Sequence, residues 1–382
     1  MKLLLMPDAF KGNLTSIQVC AHMERAVRAL LPKAEVISIP IADGGEGMLD
    51  GYLAALPGQR VTLEVTGPEG APVQACYGLF HGGELAVVEM AQAAGLSLAP
   101  GRRVETNTTY GVGELMRDAI GRGASKLLLG LGGSATNDAG CGMASALGVR
   151  FRDVQGADFL PTGGSLADIA AIDLSGLLPA LADRRVQITA ACDVSAPLFG
   201  PQGAAHVYAR QKGADTPARR LALEQGLQQV GGQFERLRGR PVSQLPGAGA
   251  AGGMGAGVIA LLGGRLVSGI DALLDTARFE QRAAGADLIL TGEGRFDRQS
   301  LQGKAVVGIA RRAKKLGIPV VALVGELGGG TSQAHGQGLC ALFSINRRAL
   351  PMEEAKRRAP QDIEAVTQQL LRLWLAAAGE LV

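Results

Sequence analysis

The sequence is short of most features that mark nucleic-acid, membrane or secreted proteins. Aromatic residues make up only 4%, too few for a platform on which single-stranded bases would stack. The formal net charge is +3, too small for a polyanion-binding surface. No apolar run approaches the ~18 residues of a spanning helix, and no basic region with an apolar signal core opens the chain. The cysteines, Cys20, Cys76, Cys141, Cys192 and Cys340, are odd in number, far apart and mostly set in apolar runs. They read as reduced thiols of a cytosolic protein, and none has zinc-site spacing. The expectation is a soluble, cytoplasmic protein with small-molecule partners and no nucleic-acid or membrane partner. A homodimer stays open, because no interface is legible. Motifs are missing too. There is no G-x-x-x-x-G-K-[ST] loop and no G-x-S-x-G elbow. Gly247 to Gly252 matches G-x-G-x-x-G, but no good strand precedes it and no ribose-binding acid follows.

Glycine, by contrast, is abundant: 56 of 382 residues. The glycines cluster at segment ends, as in α/β proteins with glycine-lined clefts. The chain length suggests two domains. Leu3 to Met6 reads as a buried strand with Pro7–Gly12 as its exit loop. Thr15 and Gln18 form a capping box for the helix that follows. Val36 to Ile41 is a second strand, with Asp43–Gly47 at its exit and a helix through Leu56. This βαβα opening predicts parallel strands with polar loops at one edge. Val61–Val65, Val73–Phe80 and Leu85–Glu89 then read as antiparallel strands of a different sheet. Lys126–Leu131 is a buried strand running into GGSATNDAG at 132–140. Val186–Cys192 exits at Asp193, and Asp287–Leu290 exits into TGEGRFD at 291–297. The expected fold is α/β: a discontinuous, doubly wound parallel-sheet domain of residues 1–62 plus 288–382. An inserted α/β domain of mixed sheet spans 63–287.

Carboxylates recur at these strand exits: Asp8, Asp43, Glu46, Asp138, Asp193, Glu293 and Asp297. In a parallel sheet such exits share one edge. Several acids there need a cation, and Mg²⁺ takes oxygen ligands while keeping hold of phosphates. Lys11, Lys212 and Lys304 lie in the same polar stretches and suit the charged oxygens of a transferring phosphoryl group. The Ser134–Asn137 turn adds hydroxyl, amide and backbone donors at a strand-to-helix junction. The Gly/Ala run at 246–257 permits either close helix packing or close approach of a nucleotide. Together these point to an enzyme acting on a phosphorylated or anionic small molecule.

The chain resembles the bacterial glycerate kinases of the two-domain type. The resemblance is carried in order by PDAFKG (7–12), PIADGGEG (40–47), EMAQAAGL (89–96), TTYGVGEL (108–115), GGSATNDAGCG (132–142), ACDV (191–194), QKGA (211–214), PGAGAAGG (246–253) and TGEGRFDRQSLQGK (291–304). It implies a flavodoxin-like domain, an unrelated α/β domain and a site between them. It also implies Mg²⁺- and ATP-dependent phosphorylation of D-glycerate, at the 2-hydroxyl for members of this kind. Asp43, Asp193, Lys11 and Lys212 are the candidate catalytic residues, with Asp43 and Asp193 near Mg²⁺ through the phosphates. Asp8, Ser134, Thr136, Asn137, Asp138, Glu293, Asp297 and Lys304 are candidates for binding substrate or nucleotide. One departure is local: Ser195 stands where the family often has Asn. The alternatives are a kinase of another small hydroxy or sugar acid, and a non-catalytic nucleotide- or metabolite-binding protein.

Overall fold

A computed structural model describes residues 1–10, 12–41, 47–298, 300–302 and 305–379. The chain divides into two compact units. One comprises Met1–Asp43, Asp50–Leu56 and Gly269–Val382; the other comprises Gly44–Leu49 and Pro57–Ser268.

In chain order the strands begin with β1 (Lys2–Pro7) and β2 (Glu35–Ser38), then β3 (Gly58–Thr66), β4 (Pro72–Phe80) and β5 (Leu85–Glu89). Next come β6 (Lys126–Gly130), β7 (Arg150–Arg152), β8 (Asp158–Phe159), β9 (Ala171–Asp173), β10 (Gln187–Ala191) and β11 (Arg265–Val267). The last three are β12 (Leu288–Phe296), β13 (Val320–Leu327) and β14 (Leu339–Ser344).

The first unit holds a five-stranded sheet ordered β14-β13-β12-β1-β2, parallel throughout. Counted within the unit this is the 2-1-3-4-5 doubly wound order, whose switch point lies between β1 and β12. Leu3, Leu5, Leu288, Leu290, Val321 and Leu323 form the strand side of its core and are buried. Helix Ser16–Leu30 packs Val19, Cys20, Met23 and Val27 into that core. The capping box at its start is present: Thr15 Oγ1 accepts the Gln18 N–H and Gln18 Oε1 accepts the Thr15 N–H. Helix Met352–Ala377 adds Ile363, Leu370 and Leu371 to the same core.

The second unit holds a six-stranded mixed sheet, β11-β10-β6-β5-β4-β3. Its β3-β4-β5 edge is antiparallel; β5, β6, β10 and β11 run parallel. β7, β8 and β9 form a small antiparallel sheet that the sequence pattern did not suggest. Strands of two or three residues are too short for a period-two pattern to appear.

Two local expectations change. TGEGRFD is not an exit loop from its first residue. β12 continues to Phe296 and stays paired with β13 as far as Leu327. Gly292 allows this, since a Cβ there would lie 2.1 Å from Leu323 O. The Gly/Ala run enters its helix through left-handed Ala251, Gly252 and Gly253, so regular helix begins only near Met254. Among the described residues no helix is long and apolar enough to cross a membrane.

Candidate functional site

In the parallel-sheet unit, the carboxyl ends of the strands open on a cavity of about 450 Å³. β1 delivers Asp8 to it, β12 delivers Glu293, Gly294 and Arg295, and Asp297 and Ser300 follow. Gly325, Glu326, Ile345 and Asn346 come from the ends of β13 and β14. The opposite wall is the start of helix Met352–Ala377, where Met352, Ala355, Lys356 and Ala359 repeat at helical spacing. The wall is tied down: Asn13 Nδ2 donates to Lys356 O at 3.0 Å, and Asp8 Oδ1 accepts the Ala9 N–H at 2.6 Å. Among the described residues the lining holds the carboxylates Asp8, Glu293, Asp297 and Glu326 and the cations Arg295 and Lys356. Arg295 stands 3.4 Å from Asp297 and 3.7 Å from Glu326. Sequence reasoning placed Asp8, Glu293 and Asp297, and the fold brings these three together. It missed Asn346 and the face of helix Met352–Ala377, because nothing in a solvated amphipathic pattern marks the start of a helix as a wall.

In the mixed-sheet unit, registry sets a second polar edge. Gly130 of β6 lies opposite Glu89 of β5 and Ala191 of β10. Glu89, the GGSATND turn and Asp193 therefore leave neighbouring strands on one side. Glu89 is buried and its Oε1 accepts the Leu49 N–H at 2.5 Å. Its position at a strand end was a signal that the sequence reading passed over. Asp193 is exposed two residues past the end of β10.

The GGSATND turn is itself a clamped object. Leu96 N–H donates to Gly133 O, Ala135 N–H to Ala94 O, and Ala139 N–H to Gly252 O. Asn107 Nδ2 donates to Ala135 O at 3.0 Å. Gly133 and Gly140 take φ of +73° and +74°. The left-handed run at 251–253 presses onto the turn, and a Cβ on Gly252 would stand 2.1 Å from Thr136 O. Close backbone packing is thus one job of the Gly/Ala run.

Asp138 is fully buried and committed. Its Oδ2 accepts from Thr109 N, Thr109 Oγ1 and Gly142 N at 2.8, 2.8 and 3.2 Å, and its Oδ1 from Gly140 N at 3.1 Å. Burial pushes its carboxyl above the usual range, while those four donors pull it back. Lys212 is buried as well, at the end of a 3₁₀ turn. Its Nζ donates to Ser134 Oγ at 2.6 Å and to Thr136 O at 2.8 Å. Burial pulls the ammonium down to about 7, against the attraction of Asp138. Lys212 was expected from its polar neighbourhood to reach an exposed phosphoryl group; instead it is folded into the turn. Ser134 is 8% exposed and Thr136, Asn137 and Asp138 are at 0%. Among the described residues Thr136 Oγ1 and both amide atoms of Asn137 have no hydrogen-bond partner, an unusual density of unmatched polar atoms for a folded core.

Lys11, Asp43, Glu46 and Lys304 lie outside the described residues. Among those described, no group of three or more His, Cys, Asp or Glu is arranged to hold a metal ion by itself.

Residues 3–375 match the model of the glycerate kinase family. A Bacillus cereus glycerate kinase is 44% identical over 380 residues, covering 99% of both chains. An Escherichia coli glycerate 2-kinase is 39% identical over 365 residues, covering 95% of both. A solved Salmonella typhimurium structure assigned as a glycerate kinase 2 superposes with a TM-score of 0.88 at 38% identity, over 99% of each chain. With nearly the whole length matched in sequence and in fold, this chain belongs to the glycerate kinase family.

Proposed function

We propose that this protein transfers the γ-phosphoryl group of ATP to the 2-hydroxyl of D-glycerate, giving 2-phosphoglycerate and ADP. The observation that carries the reading is the end-to-end match to glycerate kinases, among them the E. coli 2-kinase. The units with their strand-exit carboxylates are read as the family's two domains.

Phosphoryl transfer asks mainly for position and charge. The bond from the γ-phosphorus to its bridging oxygen breaks as the bond from the glycerate O2 forms. The hydroxyl proton leaves late, so an ordinary carboxylate suffices to accept it. Asp193 is exposed at a strand exit and is our assignment for that role, with Asp43 as the other candidate. The Ser134–Asn137 turn is assigned to an anionic substrate through Ser134, which keeps some exposed surface, while Ala135, Thr136 and Asn137 lie buried behind it. Lys212 keeps that turn in shape; it is a positioning residue. Lys11 and Lys304 are assigned to anionic oxygens of the substrates.

The donor set fits Mg²⁺ brought in on ATP. Asp8, Glu293 and Asp297 line one cavity with hard oxygen donors, and Mg²⁺ needs only one or two carboxylates beside phosphate oxygens. When bound, the ion neutralises phosphate charge.

A panel of acids with ATP and Mg²⁺, scored by ADP release, tests the reading. D-Glycerate is expected to give the highest kcat/KM. Preference for L-glycerate, lactate or a sugar acid would replace it.

A further inference from the structure

Helix Pro217–Arg238 carries a buried acid that the proposed chemistry does not use: Glu224 is 3% exposed. We infer that Glu224 is a positioning residue for phosphoryl transfer, seating the 193–203 loop that Asp193 opens. This rests on the assignment of Asp193 above and adds what holds that carboxylate in place.

A carboxylate in a core is costly unless donors meet it. Glu224 Oε1 accepts the Gly200 N–H at 2.6 Å and a Gln228 Nε2 hydrogen at 3.2 Å. Gly200 has φ +105°, and its own carbonyl accepts the Gly203 N–H at 2.8 Å. The loop is therefore gripped at its bend. Glu224 Oε2 stands 4.0 Å from His206 Nε2, on helix Ala204–Tyr208, which follows the loop. One side chain thus faces both the bend and the segment after it.

The same helix supplies the rest of the seat. Gly231 lies seven residues on, about two turns along the same face. A Cβ there would stand 2.8 Å from Ser243 Oγ, 3.0 Å from Phe199 Cε1 and 3.2 Å from Leu198 Cδ2. The bare backbone lets residues 198–199 lie against the helix. Leu198 N–H donates to Ser243 O at 2.8 Å, and Glu235 Oε1 accepts the Val242 and Ser243 N–H groups at 3.2 and 3.1 Å. The buried side of the helix mixes Leu227, Val230 and Phe234 with Glu224 and Gly231. That mixture breaks the amphipathic stripe of an ordinary packing helix.

Residues 193–195 are exposed between two anchored points. Cys192 N–H donates to Val267 O on one side, and Ala196 O accepts the Gly249 N–H on the other, both at 2.9 Å. The aim of Asp193 is set by the held half of its loop, and Glu224 is the charged group in that hold.

The test uses the full chain. Hydrogen exchange of peptides covering 193–203 is compared in wild type and Glu224→Ala. Exchange is expected to quicken about tenfold or more there, as a hydrogen bond to a charged group is lost. Unchanged exchange overturns the inference. Single-turnover transfer from ATP to D-glycerate is then measured. Glu224→Ala is expected to slow it about tenfold or more, with KM for both substrates within about threefold of wild type. Glu224→Gln keeps an acceptor oxygen for Gly200 and should restore most of the rate. Glu224→Asp withdraws the acceptor by one methylene and serves if Glu224→Ala impairs folding. A purely structural tie would lower the melting temperature and leave the chemical rate alone, which overturns the positioning role. The decisive readout is a double-mutant cycle. On an Asp193→Asn background Glu224→Ala should slow transfer less than about twofold further; a full additional loss means that Glu224 does not act through Asp193 and overturns the inference. A slow Asp193→Asn beside a normal Glu224→Ala sinks this inference alone. A wild-type protein that phosphorylates no glycerate sinks the proposed substrate, and the exchange comparison still decides whether Glu224 seats the loop.

Discussion

Replacing Lys212 by Met gives the sharpest physical test of how the GGSATND turn is held. The substitution keeps much of the side-chain bulk and removes the ammonium. Ser134 Oγ and Thr136 O lose their donor, which costs about 1.5–3 kcal/mol for hydrogen bonds to a charged group. The same change also relieves a penalty. In the folded protein burial pulls the Lys212 ammonium down to about 7 from its ordinary 10.5. Between those values the unfolded chain binds a proton that the folded chain does not, so stability rises with pH across that window. At 1.36 kcal/mol per unit the whole span is worth at most about 5 kcal/mol, and about 2 kcal/mol of it falls between pH 7 and 9. Wild type should therefore gain about 2 kcal/mol on Lys212→Met over that interval. The neighbouring Asp138 and Cys141 are present in both proteins; burial raises both groups. Unfolding in guanidinium chloride should be followed by far-UV circular dichroism. The single tryptophan, Trp374, lies in the other unit and would report the wrong transition. Parallel stability–pH curves for the two proteins would refute the claim that Lys212 is a buried, charge-strained strut.

Glycine substitutions separate close packing from mere flexibility. Gly252→Ala places a methyl 2.1 Å from Thr136 O at φ +66° and should destabilise by about 3 kcal/mol or more in thermal melts, with loss of kcat. Gly232→Ala, on an exposed face of helix Pro217–Arg238 with nothing within 4 Å, should stabilise by ~0.5–1 kcal/mol. Asp193→Asn should slow single-turnover transfer ~10²-fold or more if its carboxylate accepts the hydroxyl proton. An unchanged chemical rate would remove it from the mechanism.

The elements most legible in the sequence were those whose local signals agree with the fold. The β1 strand, the Thr15–Gln18 capping box and the antiparallel β3-β4-β5 edge all follow from pattern and turn chemistry. The acids at strand ends were legible for the same reason: a buried apolar run must exit into something polar. What failed to show was set by tertiary contact. Lys212 sits in a polar stretch, Gln211-Lys212-Gly213, that reads as surface, yet its ammonium is folded beneath Thr136. Asp138 has the local look of a ligand, but its four hydrogen bonds come from backbone and hydroxyl groups at residues 109–142. The extension of β12 through Phe296 depends on pairing with β13, which no local window contains. The cavity wall at Met352–Ala359 is set by where the last helix docks, and its own sequence shows only an amphipathic helix.

The most direct measurement is the product itself. D-Glycerate, ATP and Mg²⁺ are incubated with the purified protein and followed by ³¹P and ¹H NMR. The account predicts ADP and a phosphate coupled to the methine proton at C2. Coupling to the C3 methylene would contradict the assignment of the 2-hydroxyl, and no phosphoester at all would contradict phosphorylation of glycerate.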